Sequence, residues 1–294
     1  MTAMTAARTA PGGTWLITPP SDGRLEAALR AQPDVALLDL EDSVPPCDKD
    51  TARTVALAHL GAAPVHGATM LGVRVNAPGT VHGLKDLVAL AAAGLRDTVV
   101  LVPKVESARE LELVAQTLRE TATGVRVCAL IETPRALLRL DDIFASPVLC
   151  GVVFGAADYA AATGCRRTSG SLRWARSSIA AAAAAHAIPS IDSPYFDLGD
   201  PEGLLRDAQE ARDLGFTGKG AIHPDQLPVI RAAFCPTEEE VAQAQAVVSA
   251  ADRAGGQMVR AGDQMVGPPL VAAARAVLDK AGNDTDPSVH GGTQ

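Results

Sequence analysis

The feature that most constrains this chain is a regular alternation of short apolar runs with longer helical stretches. Strand character falls at 15–18, 36–41, 71–76, 98–104, 125–133, 149–155, 190–195 and 219–223. Between these runs, amphipathic or alanine-rich segments occupy 48–60, 83–93, 107–121, 172–187 and 201–214. Most of the runs are continuously apolar, as in Ala36-Leu37-Leu38, Val99-Val100-Leu101 and Gly151-Val152-Val153-Phe154. That pattern belongs to parallel strands covered on both faces. Eight such strands with helical crossovers predict a TIM (β/α)8 barrel over residues 14–233, in preference to an open doubly wound sheet.

Helix signals agree with this division. Ser107 and Glu110 stand in capping-box spacing. Asp200 precedes Pro201 as a cap followed by proline at the first helical position. From residue 234 the pattern changes. Thr237 followed by three glutamates reads as a helix start, 255–266 as a β-hairpin and 268–281 as a last helix. Residues 234–282 therefore form a small helix–hairpin–helix extension that packs on the barrel or on a neighbouring subunit. Residues 1–12 and the polar stretch 283–294 are expected to be disordered.

The totals narrow the function. The formal net charge of −8 opposes binding to phosphodiester backbones. The five cysteines are scattered without any CxxC pair, which points to reduced, mostly buried thiols and a cytoplasmic setting. The first thirteen residues lack the apolar core of a secretory signal, and no apolar run is long enough to span a bilayer. No GxGxxG or GxxxxGK[ST] motif is present, so neither a Rossmann nor a P-loop site is indicated.

In a TIM barrel the chemistry lies at the C-terminal ends of the strands. Polar residues crowd those ends here: Asp39, Glu41 and Asp42, then Arg74 and Asn76, Lys104 and Glu106, Glu132 and Thr133, Asp158, Asp192 and His223. Burying so many ionisable groups is costly unless they pair or bind a metal. Glu132 and Asp158 come from adjacent strands, and two carboxylates plus water suit Mg²⁺. By spacing alone they could equally form salt bridges with Arg74 or Lys104. Arg74 suits a substrate carboxylate or an ion-pair partner. Asp39 and Asp42 either hold Arg74 and Lys104 or take part in chemistry. His223 could ligate a metal, transfer protons or cap a loop.

Seven segments, in order, resemble the HpcH/HpaI aldolase and citrate lyase β-subunit superfamily, in particular its CoA-ester lyases. They are Leu38-Asp-Leu-Glu-Asp-Ser-Val44, Lys49-Asp-Thr-Ala-Arg53, Val73-Arg-Val-Asn-Ala77, Val102-Pro-Lys-Val-Glu-Ser107, Ile131-Glu-Thr-Pro134, Phe154-Gly-Ala-Ala-Asp-Tyr159 and Ile222-His-Pro-Asp-Gln226. The resemblance implies Mg²⁺, with Mn²⁺ as the alternative ion, held by Glu132 and Asp158. It gives Arg74 the 2-oxo acid or its enolate, and makes Glu41, Asp42, Asn76, Lys104 and Glu106 the surrounding groups. Ala156, Ala157 and Arg24 fall on substrate-binding positions, Arg24 beside the CoA site.

The implied reaction cleaves or forms a 3-hydroxy-acyl thioester from a 2-oxo acid and an acyl-CoA enolate. The implied partners are those small molecules and copies of the chain in a trimer or hexamer, with no nucleic acid and no membrane. Two departures bear on the thioester. The first turn reads Pro19-Pro-Ser-Asp-Gly-Arg24 instead of Pro-Gly-Asn-Arg, and Gly267 stands where relatives that hydrolyse thioesters carry an aspartate, with Asp263 nearby. The same chemistry on a free or carrier-bound acid, or a non-catalytic subunit of a larger complex, are the alternatives.

Overall fold

In the computed structural model, which describes residues 10–62, 69–119, 121–253, 258–261 and 264–285, eight parallel strands close into a barrel. They are β1 (Gly13–Thr18), β2 (Val35–Asp39), β3 (Met70–Arg74), β4 (Val99–Val102), β5 (Arg126–Ile131), β6 (Leu149–Phe154), β7 (Ser190–Asp192) and β8 (Gly218–Ala221). Each strand pairs with the next, and β1 closes the ring on β8 with Trp15 opposite Gly220. The crossovers carry α1 (Asp22–Arg30), α2 (Lys49–Ala62), α3 (Val81–Ala93), α4 (Ala108–Arg119), α5 (Pro134–Leu137), α6 (Leu140–Phe144), α7 (Ala156–Thr163), α8 (Ser169–Ala185) and α9 (Pro201–Asp213). After β8, α10 spans Gln226–Phe234. The predicted barrel is the observed one, and no helix among the described residues is long and apolar enough to cross a membrane.

Strand alternation decides what lies inside. Trp15, Val35, Leu37, Val99, Leu101, Cys128, Leu130, Val153 and Ile191 form one buried cluster from every second position. The intervening residues, such as Ala36, Leu38, Val100, Val102 and Val152, are equally buried and face the helices, which is why the strands read as unbroken apolar runs.

The chain divides into two compact units, 1–231 and 232–294. Ala10, within the stretch expected to be disordered, is buried, and its N–H donates to the Cys150 carbonyl at 2.9 Å. In the second unit α11 (Glu238–Arg253) starts at a reciprocal capping box: Glu240 N–H donates to Thr237 Oγ1, and Thr237 N–H to Glu240 Oε2 at 2.7 Å. The antiparallel hairpin β9 (Val259–Ala261) and β10 (Gln264–Val266) follows, then α12 (Pro268–Thr285), which continues past the expected end at 281. Asp263 lies outside the described residues. None of the five cysteines forms a disulfide with a described residue, but only Cys128 and Cys150 are buried, and Cys47 is exposed.

Candidate active site

The inward positions of three strands change from apolar to charged as they reach the barrel mouth. Along β2 the series runs Val35, Leu37, Asp39; along β3, Met70, Gly72, Arg74; along β5 and just beyond it, Cys128, Leu130, Glu132. One alternation therefore builds the core and then the site above it.

Asp39 and Arg74 form a two-pronged pair, Nε to Oδ1 at 2.6 Å and Nη2 to Oδ2 at 2.7 Å. Asp39 also accepts N–H groups from Glu41 and Ser43, which bends the following turn over Arg74. Buried Lys49 braces that turn from the other side, its Nζ donating to the Leu40 and Glu41 carbonyls at 2.6 Å. As a result Glu41 Oε2 and Asp42 Oδ2 lie 3.0 and 3.1 Å from Arg74 Nη1. The approach to Glu41 is close in distance but poorly aligned, and its Oε2 keeps no hydrogen-bond partner among the described residues. Burial pushes the Glu41 carboxyl up to about 8, against the pull of Arg74. Burial would raise Asp39 as well, but Arg74 and the turn N–H groups hold it below the usual carboxylate range.

On the opposite side Glu132 is 1% exposed. Thr133 caps α5 through the Ala136 N–H, and Pro134 takes the first helical position; β5 therefore stops with Glu132 aimed into the mouth. Its Oε1 accepts the Lys104 N–H at 2.9 Å and lies 3.4 Å from Lys104 Nζ. The same ammonium donates to Asp158 Oδ1. Lys104 thus stands between the two acids as a single positive charge. Burial raises the Glu132 carboxyl to about 7, despite Lys104. Gly155 is required beside it, because a Cβ there would fall 2.5 Å from Glu132 Cβ and 2.7 Å from Oε2.

A cavity of about 370 Å³ opens over these groups, lined by Asp39, Asp42, Arg74, Glu132, Ala156, Ala157 and Asp158 above the apolar Leu101, Leu130 and Val153. Glu41 and Lys104 stand behind that lining, Glu41 against Arg74 and Lys104 against both Glu132 and Asp158. Among the described residues no three His, Cys, Asp or Glu side chains converge on one metal position. Two carboxylates already sharing a cation fit an ion that keeps much of its water, as Mg²⁺ does.

Other expected site residues lie elsewhere. Asn76 is buried, and both its amide N–H and its Nδ2 donate to Asp86, which pairs with Arg53 between α2 and α3. Glu106 is outside the cavity, accepting from Thr133 Oγ1 at 2.9 Å, with Arg135 3.5 Å away. Arg24 is exposed in the first turn of α1 and does not line the cavity. Asp39 and Asp42 both hold Arg74, and neither holds Lys104. His223 caps its own loop, accepting the Asp225 N–H at Nδ1. Asp192 ends β7, but it is one step out of phase with inward Ile191 and faces α8 and α9. There it meets Arg176 and Lys219. Sequence reading missed this buried cluster, although a lysine between Gly218 and Gly220 in an apolar strand was its visible sign.

Residues 21–224 match the sequence profile of the HpcH/HpaI aldolase/citrate lyase family. The chain belongs to this family. A citrate lyase subunit beta-like protein of Mycobacterium tuberculosis is 35% identical over 94% of this chain and 98% of its own length. An L-malyl-CoA/beta-methylmalyl-CoA lyase of Cereibacter sphaeroides is 33% identical over 75% of this chain and 78% of its own. Among solved structures, the CitE protein of Mycobacterium tuberculosis in complex with magnesium, acetoacetate and coenzyme A superposes with a TM-score of 0.78. It is 33% identical and covers 93% of this chain and 99% of its own. The named relatives are lyases, and the family's closed barrel is the one described above.

Proposed function

We propose that this protein is a cytoplasmic, magnesium-dependent carbon–carbon lyase that cleaves or forms a 3-hydroxy-acyl thioester, with a 2-oxo acid and the enolate of an acyl-CoA as the two halves. The observation that carries this reading is the position of Lys104, whose ammonium lies between Glu132 and Asp158, two carboxylates lining a cavity that Arg74 also lines. Those two carboxylates would hold Mg²⁺, or Mn²⁺ in its place. Held there, the ion would supply Lewis-acid polarisation of the oxo acid.

The chain's own groups supply the rest. Arg74 has five N–H groups, and three are used on Asp39 and Asp42; two remain for a substrate carboxylate. Ala156 and Ala157 begin α7, where first-turn N–H groups have no acceptor within the helix and favour an anion. Cleavage needs a base for the 3-hydroxyl proton, breaks the bond between C2 and C3, and returns a proton to the enolate carbon. Glu41 and Asp42, flanking Arg74 Nη1, are the carboxyls placed to carry those protons. The C–C bond electrons end on the acyl enolate, so no redox partner is required.

Relatives named as malyl-CoA lyases and a structure containing coenzyme A support the thioester. The altered turn before Arg24 and Gly267 favours a second reading, the same cleavage on an acid without CoA. The test is to supply Mg²⁺ with 3-hydroxy-acyl-CoA esters and with the corresponding free acids, trapping released 2-oxo acid as its hydrazone. Release from the thioesters, lost in Glu132→Gln, is expected; release only from free acids selects the second reading. No release, together with no Mg²⁺-induced thermal shift, overturns both. Light scattering will show whether the assembly is the trimer or hexamer we propose.

A further inference from the structure

A second cavity, of about 570 Å³, lies against the first. Phe154, Ala156, Ser193, Pro194 and Phe196 line both, so the two spaces meet along this strip. The floor of the second cavity is charged but satisfied within itself. Arg176, 2% exposed, is spent on Asp192 at 2.9 Å and Glu210 at 3.0 Å. Fully buried Lys219 is spent on Asp192 at 2.6 Å, Asp207 at 2.5 Å and the Ser193 carbonyl at 2.6 Å. Two cations against three carboxylates leave the floor no positive charge to offer a ligand.

The rim differs. Arg167, on the loop between α7 and α8, places its guanidinium 4.7 Å from the centroid of the Phe196 ring. It forms no ion pair with any described residue. Among the described residues Arg206 pairs with Glu202, at 3.7 Å, and both are exposed. Asp197 is the one lining acid without a cation within ion-pair distance among the described residues, and its carboxylate accepts the Gly199 N–H at 3.0 Å. A guanidinium resting on an aromatic face gains less than one paired two-pronged with a carboxylate or phosphate. Arg167 is thus a free cation at the outer end of a space that begins at the barrel mouth, with Phe196 as the wall between.

We propose that the second cavity is a specificity pocket for the non-reacting arm of the 2-oxo acid, that this arm ends in an anion, and that Arg167 reads its charge while Phe196 packs along its stem. The inference rests on assigning the first cavity to the metal and the 2-oxo acid. An arm ending in a methyl group gains the apolar wall but not the ion pair.

The test uses the full-length, Mg²⁺-loaded protein and 2-oxo acids matched in length, ending in a carboxylate or a methyl group: 2-oxoglutarate against 2-oxovalerate, and 2-oxoadipate against 2-oxohexanoate. Titration calorimetry should show at least one diacid binding about tenfold more tightly than its methyl-ended partner. Arg167→Ala should bring the pair to within about twofold, and Arg167→Lys should keep part of the preference. Phe196→Ala should weaken both members alike. Equal affinities in the wild type, or a preference that survives Arg167→Ala, overturn the pocket while leaving the lyase reading intact. Failure of every 2-oxo acid to bind, with no thermal shift from Mg²⁺, overturns both.

Discussion

Lys104 meets Glu132 twice: its backbone N–H donates to Oε1 at 2.9 Å, and its ammonium stands 3.4 Å from the same oxygen. To do so the lysine takes a φ of 55°, a left-handed conformation that costs a non-glycine residue about 1–2 kcal/mol. Asp158 completes the arrangement. Burial works against the Lys104 charge, but these two acids hold its pKa above the usual lysine value.

An ammonium and a dication must compete for the same two carboxylates. Lys104→Met should therefore lower the metal-free melting temperature while tightening Mg²⁺ binding by about tenfold. The stability loss should be about 1–3 kcal/mol, the cost of leaving buried Glu132 unpaired. Calorimetry with and without Mg²⁺ separates the two effects, and weaker Mg²⁺ binding in the variant would contradict the competition.

Glu132 titrates near 7 without metal, and Mg²⁺ needs its ionised form. Affinity should rise roughly tenfold per pH unit below about 7 and level off above it, each ion releasing close to one proton. Titration in buffers of different ionisation enthalpy measures that proton. A flat affinity profile from about pH 5.5 to 8 would rule out Glu132 as ligand.

Glu41 binds its proton more tightly folded, at about 8, than at its ordinary 4.5. The native state thus carries the extra proton between those values, and stability falls as pH rises through the window. The carboxyl's contribution is fully present below about 4.5 and lost above about 8. Glu41→Gln should flatten the decline in metal-free melting temperature and stabilise the protein at pH 8 by on the order of 1 kcal/mol or more. A variant that declines as steeply as the wild type would show that Glu41 is ionised throughout.

Gly155→Ala places a methyl group against Glu132. Overpacking of this kind costs about 1–3 kcal/mol. Because the clash falls on Glu132 Cβ and Oε2, the Mg²⁺-induced rise in melting temperature should shrink as well. An unchanged metal response in a destabilised variant would mean that Glu132 keeps its aim despite the added carbon.

The barrel was legible because its signal is repeated eight times and each strand's apolar run is long enough to count. Arg74 and Glu132 were legible because they sit where an inward apolar series ends, whereas Asp158, in the first turn of α7, was legible through the Phe154–Tyr159 segment alone. Asp192 and Asn76 misled for the same reason: at a strand end one position of phase separates cavity from helix packing, and a side chain can turn back to a partner such as Asp86. Sequence reading left Asp39 undecided, since only the fold brings its carboxylate onto Arg74. The cavity beside Phe196 could not be read at all, because it is assembled from α8, α9 and two loops far apart in the chain.

The ring of strands is not equally strong at every joint. β7 is three residues long, and it meets each neighbour at only two paired positions. Behind that joint lie Arg176, Lys219 and their carboxylates. The barrel should breathe first there, with the amides of Ile191 and Gly218 exchanging with solvent ahead of those in β2 and β5. Since Ser193 hangs from Lys219, anything that fills the neighbouring cavity would also stiffen the weakest stave of the barrel.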